Sequence, residues 1–156
     1  MKGAIEIAAA VGAGQVRAAD VVTACLDRIA RLNPVLNAFT TVTAERARAK
    51  AAALDAAIAA GAKPGPLAGV PFGVKNLIDV AGLPTLAGSK INRGHPPASA
   101  DAPLVARLEA TGAILVGALN MGEYAYDFTG ENVHEGPSRN PFDTARMSGG
   151  SSGGSG

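Results

Sequence analysis

Lys75 is the residue whose type and setting first suggest chemistry. It closes the segment Val70-Pro71-Phe72-Gly73-Val74-Lys75 and is followed by Asn76, Leu77 and Ile78. An amine desolvated among such neighbours has its pKa lowered from a reference of about 10.4, which makes neutral amine available as a base. The second feature is the run Gly149-Gly150-Ser151-Ser152-Gly153-Gly154-Ser155-Gly156. Its glycines allow close backbone approach, its hydroxyls both donate and accept protons, and its successive N–H groups suit an anion. Each feature also has a plainer reading. Lys75 could snorkel from a strand edge, and a Gly/Ser run is what a flexible linker looks like. A phosphate-binding loop of the Walker type is excluded, because Gly69 to Lys75 lacks the glycine–lysine adjacency and the Ser/Thr it needs.

The elements that must carry these residues are legible in outline. Val22, Leu26, Ile29 and Leu32 recur at helical spacing, and Asn33-Pro34 is expected to stop that helix. Ala38–Val42 is short and partly β-branched, as a strand requires. A helix with Ala47, Ala51, Leu54 and Ile58 on one face follows, with Arg46, Arg48 and Lys50 expected in water. Gly61, Pro64, Gly65 and Pro66 end it. Asp101 is a good N-cap, Pro103 suits a first turn, and Thr111-Gly112 closes that helix. Ile114–Leu119 is a continuous apolar run, as expected of a strand covered on both faces. Helix, glycine turn and buried strand together indicate an α/β sheet. From Gly122 onward the periodicity vanishes, and a stretch that long without elements is functional or disordered.

Composition narrows the classes. The 156 residues suffice for one domain with a sizeable core. A net charge of +1 gives no field for nucleic acid or an acidic membrane surface. Cys25 is the sole cysteine, so no internal disulfide forms and a reducing, cytoplasmic location is the default. It lies beside Leu26 in a helical pattern and reads as a structural thiol. Met1-Lys2-Gly3 leads to Glu6 and not to a signal core, and no apolar run is long enough to span a bilayer. His95 and His134 have no partners at metal-ligand spacing and read as solvated loop histidines.

Gly69-Val70-Pro71-Phe72-Gly73-Val74-Lys75-Asn76, then Asp79–Thr85 and Ala87-Gly88-Ser89, closely resembles the lysine block of the amidase signature family. Asp101–Val105 with Gly112-Ala113 resembles the next block, followed by Asn120-Met121 with Glu123 and by Gly136–Pro141. Gly149–Ser155 resembles the start of the signature itself. Several blocks in order at compatible spacing outweigh one Gly/Ser run, so the linker reading recedes.

The resemblance implies a mixed sheet flanked by helices and a Ser–cis-Ser–Lys centre. Lys75 matches the lysine and Ser151 the bridging serine, with the Gly150–Ser151 bond cis; Ser152 matches a serine that helps orient the amine. The attacking serine of such a relay is expected roughly two dozen residues beyond the bridging one, past Gly156. Residues 1–156 are thus expected to be the N-terminal part of one amidase-signature domain, helical over 1–66 and opening the catalytic core over 67–156. The chain alone is expected to be inactive. The stretch Tyr124–Asn132 resembles the carboxybiuret hydrolases of cyanuric acid breakdown more than the corresponding chains of tRNA-dependent amidotransferases. By that analogy Tyr126, Asp127 and Thr129 are candidate substrate contacts, with loop packing as the alternative. The resemblance further implies a small linear amide or urea as substrate, and no metal or organic cofactor. It also implies a homo-oligomer or a small partner subunit in the full-length enzyme. Two other readings stay open: a glutamyl-tRNA amidotransferase component that releases ammonia to a partner, and a non-catalytic helical binding module with a Gly/Ser tail.

Overall fold

The structure, a computed structural model, describes residues 3–156; Met1 and Lys2, where the expectation about a signal begins, lie outside the described residues. The elements run α1 (Ala4–Gly12), α2 (Ala18–Leu36), β1 (Phe39–Val42), α3 (Ala44–Ala59), β2 (Pro71–Lys75), α4 (Pro103–Ala110) and β3 (Ile114–Leu119). Single 3-10 turns occupy Lys90–Gly94, Glu123–Ala125 and Gly153–Ser155. The three strands form one sheet in the order β1-β3-β2. The chain divides into two compact units, and the division falls within α2, β2 and β3.

The first unit takes in residues up to Arg28, Thr43–Phe72 and Pro103–Val116. Its interior is built from small side chains, with Ala18, Ala47, Ala51 and Ala68 buried beside Val11, Val22, Val105 and Leu115. Alanine allows helices to approach closely while keeping high helix propensity. The start of α2 is capped from outside its own helix. Asp55 accepts hydrogen bonds from the Ala18 and Ala19 N–H groups, at 2.7 and 3.1 Å, placing a carboxylate at the positive end of the helix. The expectation that Arg46 and Lys50 simply meet water is corrected. Both pair with Glu109 of α4 at 3.0 Å, because the Glu109 side chain is only 9% exposed and a carboxylate so placed needs cationic partners.

The second unit comprises Ile29–Val42, Gly73–Ala102 and Gly117–Gly156. Here β1 pairs antiparallel with β3 through Phe39–Leu119, Thr41–Ala118 and Val42–Gly117, with a bulge between Phe39 and Thr41. On the other side of β3, Asn76 N–H donates to the Leu119 carbonyl at 3.0 Å, while in the first unit Ile114 N–H donates to Val70 at 2.8 Å. Both registers advance together, so β2 runs parallel to β3 and the sheet is mixed. All six residues of β3 are buried, as its unbroken apolar run predicts for a central strand.

The expectation that Asn33-Pro34 stops α2 is also corrected. The helix continues to Leu36 with Pro34 inside it, and Asn37 N–H closes onto the Asn33 carbonyl at 2.8 Å. Asn37, at φ 51°, ends it in the left-handed conformation that Asn tolerates. The Asn33 amide then accepts the Phe39 N–H and donates to the Phe39 carbonyl, at 2.7 and 3.0 Å, which fixes where β1 begins. Pro103 opens α4, and the Asp101 carboxylate ahead of it accepts the Ala81 N–H at 2.9 Å.

Candidate active site

Lys75 ends β2, and the residue after it is held on three sides. The Asn76 N–H donates to Leu119, its Oδ1 accepts the Gly88 N–H at 2.9 Å, and its Nδ2 donates to Thr40 Oγ1 at 3.1 Å. Buried and fully bonded, Asn76 fixes the direction in which the lysine leaves the sheet. The Lys75 Nζ donates to Ser151 Oγ at 2.6 Å, across 76 positions of sequence.

Ser151 is held by its backbone as well. The Gly150–Ser151 peptide bond is cis. The Ser151 carbonyl accepts the Gly122 N–H at 3.1 Å, Gly154 N–H donates to the Asn120 carbonyl at 2.9 Å, and Ser155 N–H donates to Ser152 at 2.8 Å. Gly153 is buried, and a Cβ there would lie tightly, 3.0 Å from both the Gly130 Cα and the Ser138 Oγ. The Gly/Ser run is therefore fixed to the unit along its length and does not behave as a linker.

Burial lowers the Lys75 amine below the ordinary lysine range, because desolvation penalises the charged form; the Asp127 carboxylate pulls the other way. Asp127 is itself held below the usual carboxylate range. Burial raises it, but hydrogen bonds from the Thr129 side chain and the backbone outweigh that effect.

Of the other residues singled out from sequence, Tyr126 is 92% exposed and points away from packing, while Thr129 is half-buried and donates from both N–H and Oγ1 to Asp127, at 2.9 and 2.7 Å. Ser152 is half-buried with its carbonyl engaged by Ser155. Cys25 is half-buried, and burial raises its thiol above the ordinary value despite Arg28 nearby. His95 is exposed, but the reading of His134 as a solvated histidine is corrected. Its Nε2 lies 2.9 Å from Glu123 Oε1 and its side chain is 17% exposed, since Glu123 also draws in the buried Ser89 hydroxyl at 2.6 Å. Among the described residues no cluster of three or more His, Cys, Asp or Glu side chains could hold a metal ion. No helix described is long and apolar enough to cross a membrane.

Sequence reasoning passed over the buried amides that organise the long loop. Asn132 Nδ2 donates to the Gly88 and Met121 carbonyls, both at 2.7 Å, and its Oδ1 accepts the His134 and Glu135 N–H groups. Asn120 joins Asn37 and Gly136 in the same way. The signal available was chemical: an element-free stretch must satisfy its backbone groups by side chains, and Asn carries both donor and acceptor.

Comparison with known proteins places the chain in a family by sequence and fold. Residues 20–156 match the family Amidase. The chain is 56% identical over 152 residues to AtzE, the 1-carboxybiuret hydrolase component of Pseudomonas sp. (strain ADP), covering 97% of this chain and 33% of that protein. It is 45% identical to the A component of the glutamyl-tRNA(Gln) amidotransferase of Acidothermus cellulolyticus, covering 97% of this chain and 30% of that protein. Among solved structures, one described as a vestigial protein complex revealing the origins of an s-triazine catabolic enzyme superposes with a TM-score of 0.97 at 55% identity, covering 99% of this chain and 34% of that one. A bacterial aryl acylamidase of the amidase signature family superposes with a TM-score of 0.92 at 35% identity, covering 98% and 32%. The chain thus spans about a third of the length of these relatives. With its lysine-to-serine contact, mixed sheet and family match over most of its length, the chain belongs to the amidase family.

Proposed function

We propose that the protein to which this chain belongs hydrolyses the C–N bond of a small linear amide or urea such as carboxybiuret, and that Lys75 and Ser151 are two members of its proton relay. The observation that carries the reading is the 2.6 Å contact between Lys75 Nζ and Ser151 Oγ. With the amine protonated, that contact is an N–H donated to the hydroxyl. With the amine neutral, the same geometry lets the Ser151 O–H donate to Nζ, leaving Ser151 Oγ ready to accept a proton in turn. The proton comes from the attacking serine, which is proposed to lie further along the complete protein, on a turn whose N–H groups stabilise the oxyanion. Its oxygen bonds to the carbonyl carbon, the C–N bond breaks, and the relay run backwards protonates the leaving nitrogen. Water then releases the acyl group by the same route. Ser152 is proposed to steady the amine, and Tyr126, Asp127 and Thr129 to border the substrate. The 156-residue chain lacks activity on this reading, because the attacking hydroxyl is supplied elsewhere.

The likeness to the amidotransferase of Acidothermus cellulolyticus supports a second reading, in which the same relay releases ammonia from glutamine for a partner. The two part on one assay with full-length protein. Ammonia release from carboxybiuret or another small amide without a partner supports hydrolysis; release from glutamine only with an amidotransferase partner and charged tRNA supports the second. Release in neither assay overturns both. A homo-oligomer or a small partner subunit is proposed for the complete enzyme, and size-exclusion chromatography with light scattering reads its state.

A further inference from the structure

The surroundings of Asp127 differ from those of an ordinary substrate contact. Its Oδ1 accepts the Thr129 N–H at 2.9 Å and the Thr129 Oγ1 hydroxyl at 2.7 Å, and its Oδ2 accepts the Gly130 N–H at 2.8 Å. A carboxylate has about four acceptor sites, so three of them are already committed to the loop's own backbone and side chain. The carboxylate is also wedged between two glycines. A Cβ at Gly122 would lie 2.3 Å from the Asp127 Cβ, and a Cβ at Gly150 would lie 2.5 Å from Oδ2 and 2.8 Å from the Asp127 carbonyl oxygen. Contacts that short are not tolerated, so both positions receive Asp127 only because they carry no side chain.

Those two glycines are the backbone supports of Ser151. Gly150 precedes it directly, and the Gly122 N–H holds its carbonyl at 3.1 Å. Asp127 therefore packs against both attachments of the serine that touches Lys75. Its charge reaches the lysine too, and is the charge whose field acts on Nζ against the effect of burial. A carboxylate here favours the ammonium, so that the amine remains a competent base without losing its proton permanently.

We infer that Asp127 is a positioning residue for the Lys75–Ser151 pair, seating the Ser151 backbone between Gly122 and Gly150 so that its hydroxyl faces the amine. This deepens the relay reading and rests on it. A residue that only bordered the substrate would need neither the glycine wedge nor a carboxylate with three acceptor sites committed to its own loop.

The test uses the full-length enzyme and two neutral replacements. Asp127→Asn removes the charge with little change of shape. Asp127→Ser fits the same gap, and its hydroxyl accepts the residue-129 N–H in the manner of a short polar turn, which keeps the loop folded if the first variant is unstable. The pH dependence of kcat/KM is measured together with the pH dependence of Lys75 acylation by acetic anhydride, read by mass spectrometry. The expected result is kcat reduced by about tenfold or more with KM changed less, accompanied by altered Lys75 acylation, because a displaced Ser151 no longer faces the amine. An unchanged kcat with unaltered Lys75 acylation, or an effect confined to KM, overturns the inference. Acylation reports on Lys75 without turnover. An altered acylation profile in a protein that hydrolyses no amide therefore sinks the hydrolase reading and leaves the Asp127 assignment standing.

Discussion

The Lys75 amine and the Ser151 hydroxyl, 76 positions apart in sequence, meet at 2.6 Å. On the proposed relay this contact is the proton's route, so Lys75→Ala in the full-length enzyme is expected to lower kcat by about 10²–10⁴-fold with a small change in KM. Lys75→Arg is expected to fail equally, since a guanidinium stays protonated and cannot act as base. Steady-state kinetics with a small amide checks both, and wild-type-like turnover in Lys75→Ala would remove Lys75 from the mechanism.

Protonation of that amine sets a pH dependence whose sign follows from its surroundings. Burial lowers Lys75, and the Asp127 charge offsets part of that shift. On the proposed relay the neutral amine is the working form, so kcat/KM is expected to rise with pH through the Lys75 titration and to level off above it. The midpoint is expected below the ordinary lysine range. A profile rising only at the normal lysine value would contradict the burial argument.

Gly150 has no space for a side chain, since a Cβ there would lie 2.5 Å from Asp127 Oδ2. Gly150→Ala is expected to destabilise the fold by about 1–3 kcal/mol through forced displacement of the loop. Turnover is expected to fall further than stability alone explains, because the displaced residue adjoins Ser151. Thermal unfolding paired with kinetics tests this, and an unchanged Tm with full activity would refute it.

Asn132 tests the loop in a different way. It is 5% exposed and satisfies the Gly88 and Met121 carbonyls along with two N–H groups. Asn132→Leu keeps the volume but leaves these groups unpaired, at an expected cost on the order of 3 kcal/mol. Denaturant unfolding of the full-length protein measures it. A loss below about 0.5 kcal/mol, within the range of surface substitutions, would show that water replaces the amide without penalty.

Much of the scaffold is legible because its signals are local. The apolar run of β3, the helical faces around Val22 and Ala47, and Pro103 opening α4 all follow from side-chain periodicity and backbone preference. Pro34 misleads a local reading for a related reason. A proline disfavours helix at the preceding residue, but the cost is small in a last turn that Asn33 and Asn37 close from both sides. His134 and Arg46 escape such a reading because their partners, Glu123 and Glu109, come from distant positions that no local pattern connects.

By itself the sequence determined which groups are candidates for the chemistry. An isolated lysine at the end of an apolar strand and a serine in a glycine run stand out by type, and the order of the flanking blocks assigned them to a family. Only the tertiary structure decided their relation. Both features have innocuous local explanations, a snorkelling amine and a linker, and the free energy that excludes those comes from long-range contacts. The Asn76 amide on Thr40 and Gly88, the Gly122 N–H on Ser151 and the Asp127 wedge against Gly150 hold a flexible segment in one place. Proton transfer needs that, because its rate depends on a distance and an environment, and neither is a property of a residue alone.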